Sequence, residues 1–491
     1  MIDGTRRAGA TALETHPPAE VSAQLGTLWP ADEKIVEAAF ESVAGGAALW
    51  RATHPDTRAK ALEAYADMLE KHRDEFVGLC AREAGKTLAD GIAEVREAVD
   101  FARYYAMQAR KLFGTATVLP GPTGEQNSLR LEARGIFACI SPWNFPLAIF
   151  TGQIAAALAA GNGVVAKPAE QTPVIAQRAV QLMLEAGIPN NVIALVQGDG
   201  RVGEMVVANR RVAGVAFTGS LQAAKAIHKS LADRPGPIVP LIAETGGLNA
   251  MIVDSTALPE QVCDDVILSA FTSAGQRCSA LRLLLVQEDV ADTMMEMIAG
   301  AMGELTIGDP ASAASDLGPL IDAEALAVVQ RHKSRLRGGA RAVAEASLDA
   351  GLEKRGHFCA PMVAELRSVD DLDREIFGPI LHVLRYKAGE RNDLIEAINR
   401  KGYGLTFGVH SRIWSVQREA AAKIRAGNVY VNRSMIGAVV GVQPFGGMNL
   451  SGTGPKAGGP HYLAAFATEK VISIDTTASG GNTTLLTQDA G

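Results

Sequence analysis

Cysteine is scarce in this chain of 491 residues: there are five, an odd number, widely spaced and without a C-x-x-C pair. Neither a disulfide framework nor a zinc ribbon fits that spacing, and free thiols belong in a reducing cytosol. Surplus positive charge is also absent. The chain has 47 Lys+Arg against 54 Asp+Glu, a net charge of −7, and no Lys/Arg cluster disturbs that balance. This excludes a broadly basic nucleic-acid binder. Long apolar runs are missing too. The most apolar stretch, Phe145 to Ala166, is interrupted by Gln153 and Asn162 and by Gly152, Gly161 and Gly163, so it falls short of a membrane span. The opening residues MIDGTRRAGATALETHPP lack the apolar segment of a secretory signal. A soluble, cytoplasmic protein is the expectation. H-E-x-x-H, Cys/His clusters at ligand spacing and EF-hand loops are not found, so no metal is expected.

What is present is apolar and rich in glycine. Hydrophobic residues make up 47% of the chain, which excludes disorder, and the length suggests two or three domains. Residues 31 to 111 place apolar side chains at spacings of three and four, the period of amphipathic helices. From Thr115 to Phe137 short alternating runs split by Pro and Gly suggest strands joined by a turn. From Cys139 to Val253, β-rich runs (GVVAKP, NVIALVQG, VAGVAFTGS, NAMIVD) alternate with helical stretches, the pattern of a parallel sheet covered by helices. A second alternating region, from Val262 to about Val431, includes LRLLLVQ, GPILHVLRYK and GLTFGVHS. The segment from Gly437 to Pro460 is Gly-rich and aperiodic, and EKVISIDTT near the end is strand-like. The expected architecture is two α/β domains plus a small β element built from separated segments.

Two phosphate-loop lookalikes carry little weight. AGKT at 84–87 has Cys80 where a P-loop needs its first Gly, and it lies in a helical pattern. GDGRVG at 198–203 matches G-x-G-x-x-G after a strand, but the next strand, VAGVAFTGS, ends without the acidic residue of a dinucleotide fingerprint. Other segments hold more chemistry. ISPWNFP at 140–146 carries Asn144, an amide that can donate to an oxyanion. VVAKPAEQTP at 164–173 carries Lys167 and Glu170. FTGS at 217–220 (Phe217, Thr218, Gly219, Ser220) hands a strand to a helix whose N-terminal amides suit a pyrophosphate. ETGG and GQRCS hold Glu244, a possible general base, and Cys278, a possible nucleophile. Singly, each has a plain alternative: an inert buried thiol, a surface ion pair of Lys167 with Glu170, a solvated turn at Glu244.

Taken in order with EIFGP at 375–379, these segments resemble the aldehyde dehydrogenase superfamily over nearly the whole chain. A narrower likeness, carried by AREAGKTLADGIAEVREAVDFARYYA, ETGGLNAMIVDSTALPEQV, SAGQRCSALR, VVGVQPFGG and LSGTGPKAGGPHYL, is to the L-glutamate-γ-semialdehyde dehydrogenases, especially the dehydrogenase module of bacterial bifunctional proline-utilisation enzymes. Met448 and Asn449 depart from it, standing where an acidic residue and Gly are expected in those enzymes.

The resemblance implies two Rossmann-like α/β domains and a β oligomerisation flap. It places an NAD-binding domain at 1–113 and 136–247, a catalytic domain at 248–462, and the flap at 114–135 and 463–491. It implies that Cys278 attacks an aldehyde, that Asn144 and the Cys278 amide hold the oxyanion, and that Glu244 activates water on a thioester. The implied cofactor is NAD, with Lys167 and Glu170 at the adenosine ribose, Phe217 to Ser220 at the pyrophosphate, and Glu375 and Phe377 at the nicotinamide ribose. Gly437, Ala438 and Ser279 would take the substrate α-carboxylate, and Phe145 and Phe445 would flank its aliphatic part. Cys80, Cys139, Cys263 and Cys359 are expected to be structural. A homodimer or higher homo-oligomer is implied, as is a separate proline dehydrogenase as functional partner; the chain is either a free-standing enzyme or an excised module. Rival expectations are a dehydrogenase for another semialdehyde or aliphatic aldehyde, and a non-catalytic binding protein on the same scaffold. Cys278→Ala should abolish aldehyde oxidation and leave NAD binding intact; undiminished turnover in that variant refutes the nucleophile assignment.

Overall fold

The computed structural model describes residues 1–121 and 124–475. Positions 122–123 and 476–491, parts of the expected flap segments, lie outside the described residues. Two parallel sheets dominate. The first has five strands in the spatial order Ile193–Leu195, Gly163–Lys167, Ile136–Ile140, Val212–Gly219, Leu241–Thr245, all parallel. The second has seven, in the order Ala342–Glu345, Met362–Glu365, Ile380–Tyr386, Leu283–Gln287, Ala250–Val253, Thr406–His410, Asn428–Val431, with only the first pair antiparallel. A third sheet, antiparallel, joins Thr117–Leu119 and Glu125–Ala133 to Ala467–Asp475. The NAMIVD run therefore sits in the second sheet. The fifth strand of the first sheet is the less apolar Leu241–Thr245, whose place is set by pairing with Val212–Gly219 rather than by its own pattern.

The N-terminal helices follow the expected period. Helix Leu88–Phe113 starts at Thr87, whose hydroxyl accepts from the Asp90 amide, and ends with Arg110 and Lys111 in its last turn, favourable to the helix dipole. Val95, Ala98, Val99, Ala102, Tyr105, Ala106 and Ala109 are buried along it. AGKT is the turn between two helices: Gly85, at φ 65, closes helix Arg73–Ala84 and Thr87 opens the next. Helix Ala148–Ala159 is buried on nearly every side, which explains the apolar run that stops short of a membrane span. Among the described residues no helix is long and apolar enough to cross a membrane.

Close packing fixes the first sheet. Phe137 is fully buried, its ring 4.7 Å from that of Phe466, and a Cβ at Gly214 would lie 2.3 Å from it. Only glycine fits there. The Glu83 carboxylate accepts from the Val174 and Ile175 amides at 2.7 and 2.8 Å, capping helix Pro173–Glu185, and burial pushes its pKa up to about 8.

Asn162, wholly buried, fastens the third sheet to this core. Its Oδ1 accepts from the Arg134 and Gly135 amides at 2.8 and 3.0 Å; its Nδ2 donates to the Ala157 and Phe466 carbonyls at 3.2 and 2.9 Å. Both strands that leave for the antiparallel sheet are tied at this one amide. Asn162→Ala strands several buried backbone groups and is expected to cost about 2–4 kcal/mol, read as a lower denaturant midpoint; a loss within about 0.5 kcal/mol would show the tie to be unimportant.

Candidate active site

At the site, the C-terminal ends of the first sheet's strands, where open α/β sheets bind ligands, face a loop that leads into a strand of the second sheet. Glu244 stands near the end of strand Leu241–Thr245 and Cys278 in the loop before strand Leu283–Gln287. Both line one cavity of about 100 Å³ with Phe145, Ser279, Gly437, Ala438 and Phe445. Every residue expected to touch the aldehyde is thus brought together, except Asn144. That side chain borders a separate small cavity with Lys86, Trp143, Ser273 and Gln276, and its Nδ2 donates to the Gln276 carbonyl at 3.2 Å, in the loop that carries Cys278.

Glycines set the place of Glu244. Its Oε2 accepts from the Gly447 amide at 2.9 Å, and Oε1 has no hydrogen-bond partner among the described residues. A Cβ at Gly446 would lie 2.6 Å from Oε1, and one at Gly452 2.8 Å from Oε2. Burial raises the Glu244 pKa to about 8, opposed by the Gly447 amide and the Lys456 charge. Burial and the carboxylates of Glu375, Glu244 and Glu97 push the Cys278 thiol up to about 12, with Arg277 opposing. The thiol therefore keeps its proton until an acceptor takes it. Asn249 holds the loop, donating to the Cys278 and Ala280 carbonyls at 2.6 and 2.9 Å. Cys80, Cys139, Cys263 and Cys359 are buried, whereas Cys278 is partly exposed.

Helix Leu88–Phe113 contributes a wall that the motif reading missed. Glu97, Phe101 and Tyr105 line the cavity, and Glu94 and Asp90 continue the same face one and two turns earlier. Asp90 meets Arg277 at 2.8 Å and Glu94 meets Lys86 at 3.2 Å. Both cations lie over the Phe145 ring, Lys86 Nζ at 4.6 Å and Arg277 Cζ at 5.3 Å. Burial and the neighbouring Glu94 raise the Glu97 pKa to about 7. Acids on the buried stripe of an amphipathic helix were the available signal.

A second depression, a groove of about 670 Å³, is lined by Lys167, Glu170, Phe217, Thr218, Gly219 and Ser220. Thr218 lines both groove and cavity. Lys167 is buried and 3.7 Å from the exposed Glu170, so the pair belongs to the groove wall rather than to open surface. Ser220 caps helix Leu221–Asp233, accepting from the Ala223 amide. GDGRVG opens helix Gly200–Ala208, and its Gly200 and Gly203 also border the groove. A cationic side chain, a helix N-terminus and a long groove ending at the thiol cavity suit a dinucleotide. Glu375 lies 3.3 Å from Arg282, and Phe377 packs edge-on to Trp143 at 5.5 Å. Among the described residues no group of three or more His, Cys, Asp or Glu could hold a metal ion. Asn449 has φ 59, a left-handed conformation that Gly adopts freely and Asn tolerates.

The sequence model of the Aldehyde dehydrogenase family matches residues 5–472. The chain is 52% identical over 455 residues to the bifunctional protein PutA of Klebsiella aerogenes, covering 91% of this chain and 34% of that protein. It spans about a third of the length of such curated relatives. It is 35% identical over 487 residues to 1-pyrroline-5-carboxylate dehydrogenase of Geobacillus thermodenitrificans, covering 96% of this chain and 92% of that protein. A crystal structure of a proline utilization A (PutA) mutant from Bradyrhizobium japonicum superposes with a TM-score of 0.90 at 56% identity, covering 92% of this chain and 46% of that one.

Glu244 makes stability depend on pH. Folded, it holds its proton to about pH 8; unfolded, it releases it in the ordinary carboxyl range. The contribution is full below that range and is lost as pH rises through the folded value. Glu244→Gln stays neutral, so it should gain on the parent by a few kcal/mol between about pH 5 and 9. Thermal unfolding of both proteins across that span checks this; a pH-independent gap would count against the buried acid.

Proposed function

The chain belongs to the aldehyde dehydrogenase family, and from that premise we propose that it oxidises L-glutamate γ-semialdehyde, the open form of Δ1-pyrroline-5-carboxylate, to L-glutamate. The observation that carries this reading is the cavity in which a thiol, a buried carboxyl and the left-handed glycine Gly437 lie together. Likeness to relatives named 1-pyrroline-5-carboxylate dehydrogenase and PutA supports the substrate.

Aldehyde dehydrogenases generally use NAD(P), and NAD is the cofactor we propose here. When bound, NAD would supply the hydride acceptor. Lys167 and Glu170 would hold its adenosine ribose, where the Glu170 carboxylate disfavours a 2′-phosphate. Phe217, Thr218, Gly219 and Ser220 would line its pyrophosphate, and Glu375 and Phe377 its nicotinamide ribose.

Cys278 adds to the aldehyde, its sulfur bonding the carbonyl carbon and its proton passing to the carbonyl oxygen to give a thiohemiacetal. The Cys278 N–H, with the Asn144 amide once released from the Gln276 carbonyl, would stabilise the charge developing on that oxygen. Its oxidised successor is a thioester on the same sulfur. Glu244, which lines the same cavity, once ionised takes a proton from water as that water attacks the thioester and the Cys278 sulfur leaves as thiolate. Gly437, at φ 76 and with open space where a Cβ would stand, lets backbone amides approach the α-carboxylate together with Ala438 and Ser279. Phe145 and Phe445 flank the methylenes. Glu97 faces the same cavity, and its carboxylate complements the α-ammonium that distinguishes this substrate from a simple dicarboxylic semialdehyde.

In this reading residues 1–113 with 136–247 serve the cofactor and 248–462 the aldehyde, while 114–135 with 463–491 serve a second copy of the chain. The family's members are commonly oligomeric; a homodimer or higher is proposed here, with a separate proline dehydrogenase as source of substrate. Steady-state rates with NAD test the substrate. kcat/KM should be higher for glutamate semialdehyde than for succinic semialdehyde or hexanal, and Glu97→Gln should narrow the preference over succinic semialdehyde by about tenfold. A higher kcat/KM for the shorter semialdehyde would sink the assignment.

A further inference from the structure

Arg282 has no exposed surface and its Nε has no hydrogen-bond partner among the described residues, so the acceptors on Nη1 and Nη2 must offset the burial of its charge. Nη1 donates to the carbonyls of Gly275 at 2.8 Å and Gly378 at 3.3 Å. Nη2 donates to the Arg277 carbonyl at 3.0 Å and to Glu375 Oε1 at 3.3 Å. The guanidinium also lies 5.2 Å from the Phe377 ring centre. One planar fork therefore touches the loop that ends in Cys278 and both residues of the EIFGP segment assigned to the cofactor.

The nucleophile loop needs such a hold. Ser273, Ala274 and Gly275 stand at φ 56, 54 and 68, three successive left-handed residues. Side chains disfavour that conformation, which occurs mainly in single residues, and it persists where the surroundings over-determine it. Gly275 is pressed against the other segment: a Cβ there would lie 2.2 Å from the Gly378 carbonyl. The two carbonyls meet on Nη1.

We propose that Arg282 is a positioning residue for the reaction: its buried fork sets the Cys278 loop and Glu375 relative to one another, so that nucleophile geometry and cofactor-side geometry are fixed together. The assignment of Glu375 to the cofactor rests on the function proposed above; the link from Glu375 to the Cys278 loop does not. Lysine cannot replace the fork, because an ammonium is a point charge without planar paired donors.

Arg282→Lys, which keeps the charge, tests this. Cys278 is the one cysteine that is not buried, so iodoacetamide alkylation without cofactor reports on the loop. Its rate should change by about tenfold, and kcat should fall by about 10- to 100-fold. NAD binding, followed by fluorescence titration without aldehyde, should weaken several-fold. Glu375→Gln releases one arm of the fork, so it should weaken NAD binding and also alter the alkylation rate. A lower melting temperature in Arg282→Lys, with alkylation and NAD affinity unchanged, would mean a merely structural role and overturn the proposal. If Arg282→Lys does not fold, Glu375→Gln decides, and an unchanged alkylation rate there overturns it. Alkylation and NAD binding are read whatever aldehyde the enzyme takes, so a wrong substrate leaves the result interpretable.

Discussion

The site depends on one contact, the Gly447 amide on the Glu244 carboxylate. Glu244 belongs to the edge of the first sheet and Cys278 to a loop of the second, and no strand pairing joins the two sheets among the described residues. The segment from Phe445 to Ala457 crosses between them. Thr453 exchanges hydrogen bonds with Ala243 and Thr245 donates to the Leu450 carbonyl. Lys456 donates to the Gly427 carbonyl and to Asn428 Oδ1, at the start of the second sheet's edge strand. The carboxylate is thus delivered to the thiol by a glycine-rich strap whose small residues allow the approach. The aperiodic stretch, uninformative about secondary structure, is the seam of the molecule.

Charge around the cavity follows from the same economy of space. Asp90, Glu94 and Glu97 recur at helical spacing on the face where Phe101 and Tyr105 follow, so one helix supplies acids at one end of the cavity and aromatic rings at the other. The first two acids are matched by Arg277 and Lys86, which flank the Phe145 ring. Among the described residues Glu97 forms no ion pair of this kind, and it lines the cavity. A buried site lined by several carboxyls avoids mutual repulsion only if some stay protonated or paired, and both occur here.

Much of the fold was legible because its signals are local. The helical period of 31 to 111, the two alternating regions and the punctuation of the flap each lie within a short window. The family resemblance implies that Cys278, Glu244, Phe145 and Phe445 share one region, and in the fold all four line one cavity that Thr218 of the FTGS segment also borders. Illegible features were those made by distant partners. NAMIVD reads as a strand equally well in either sheet, and only pairing with Leu283–Gln287 and Thr406–His410 decides. Arg282 reads as one more residue beside an apolar strand, and its four acceptors come from positions 275 to 378. Asn162 looks like an interruption of an apolar run. In the fold it is a four-bond tie between segments up to 304 residues apart.

The buried carboxyls also change how the chain should be counted. The formal charge of −7 treats every acid as ionised, yet Glu83 and Glu244, each raised to about 8, keep their protons at pH 7. The folded chain therefore carries fewer negative charges than the formula suggests. Unfolding at neutral pH frees both protons into solution. The heat absorbed in a calorimeter then includes the buffer's own enthalpy of protonation, so the apparent unfolding enthalpy differs between phosphate and Tris at the same pH and the same Tm.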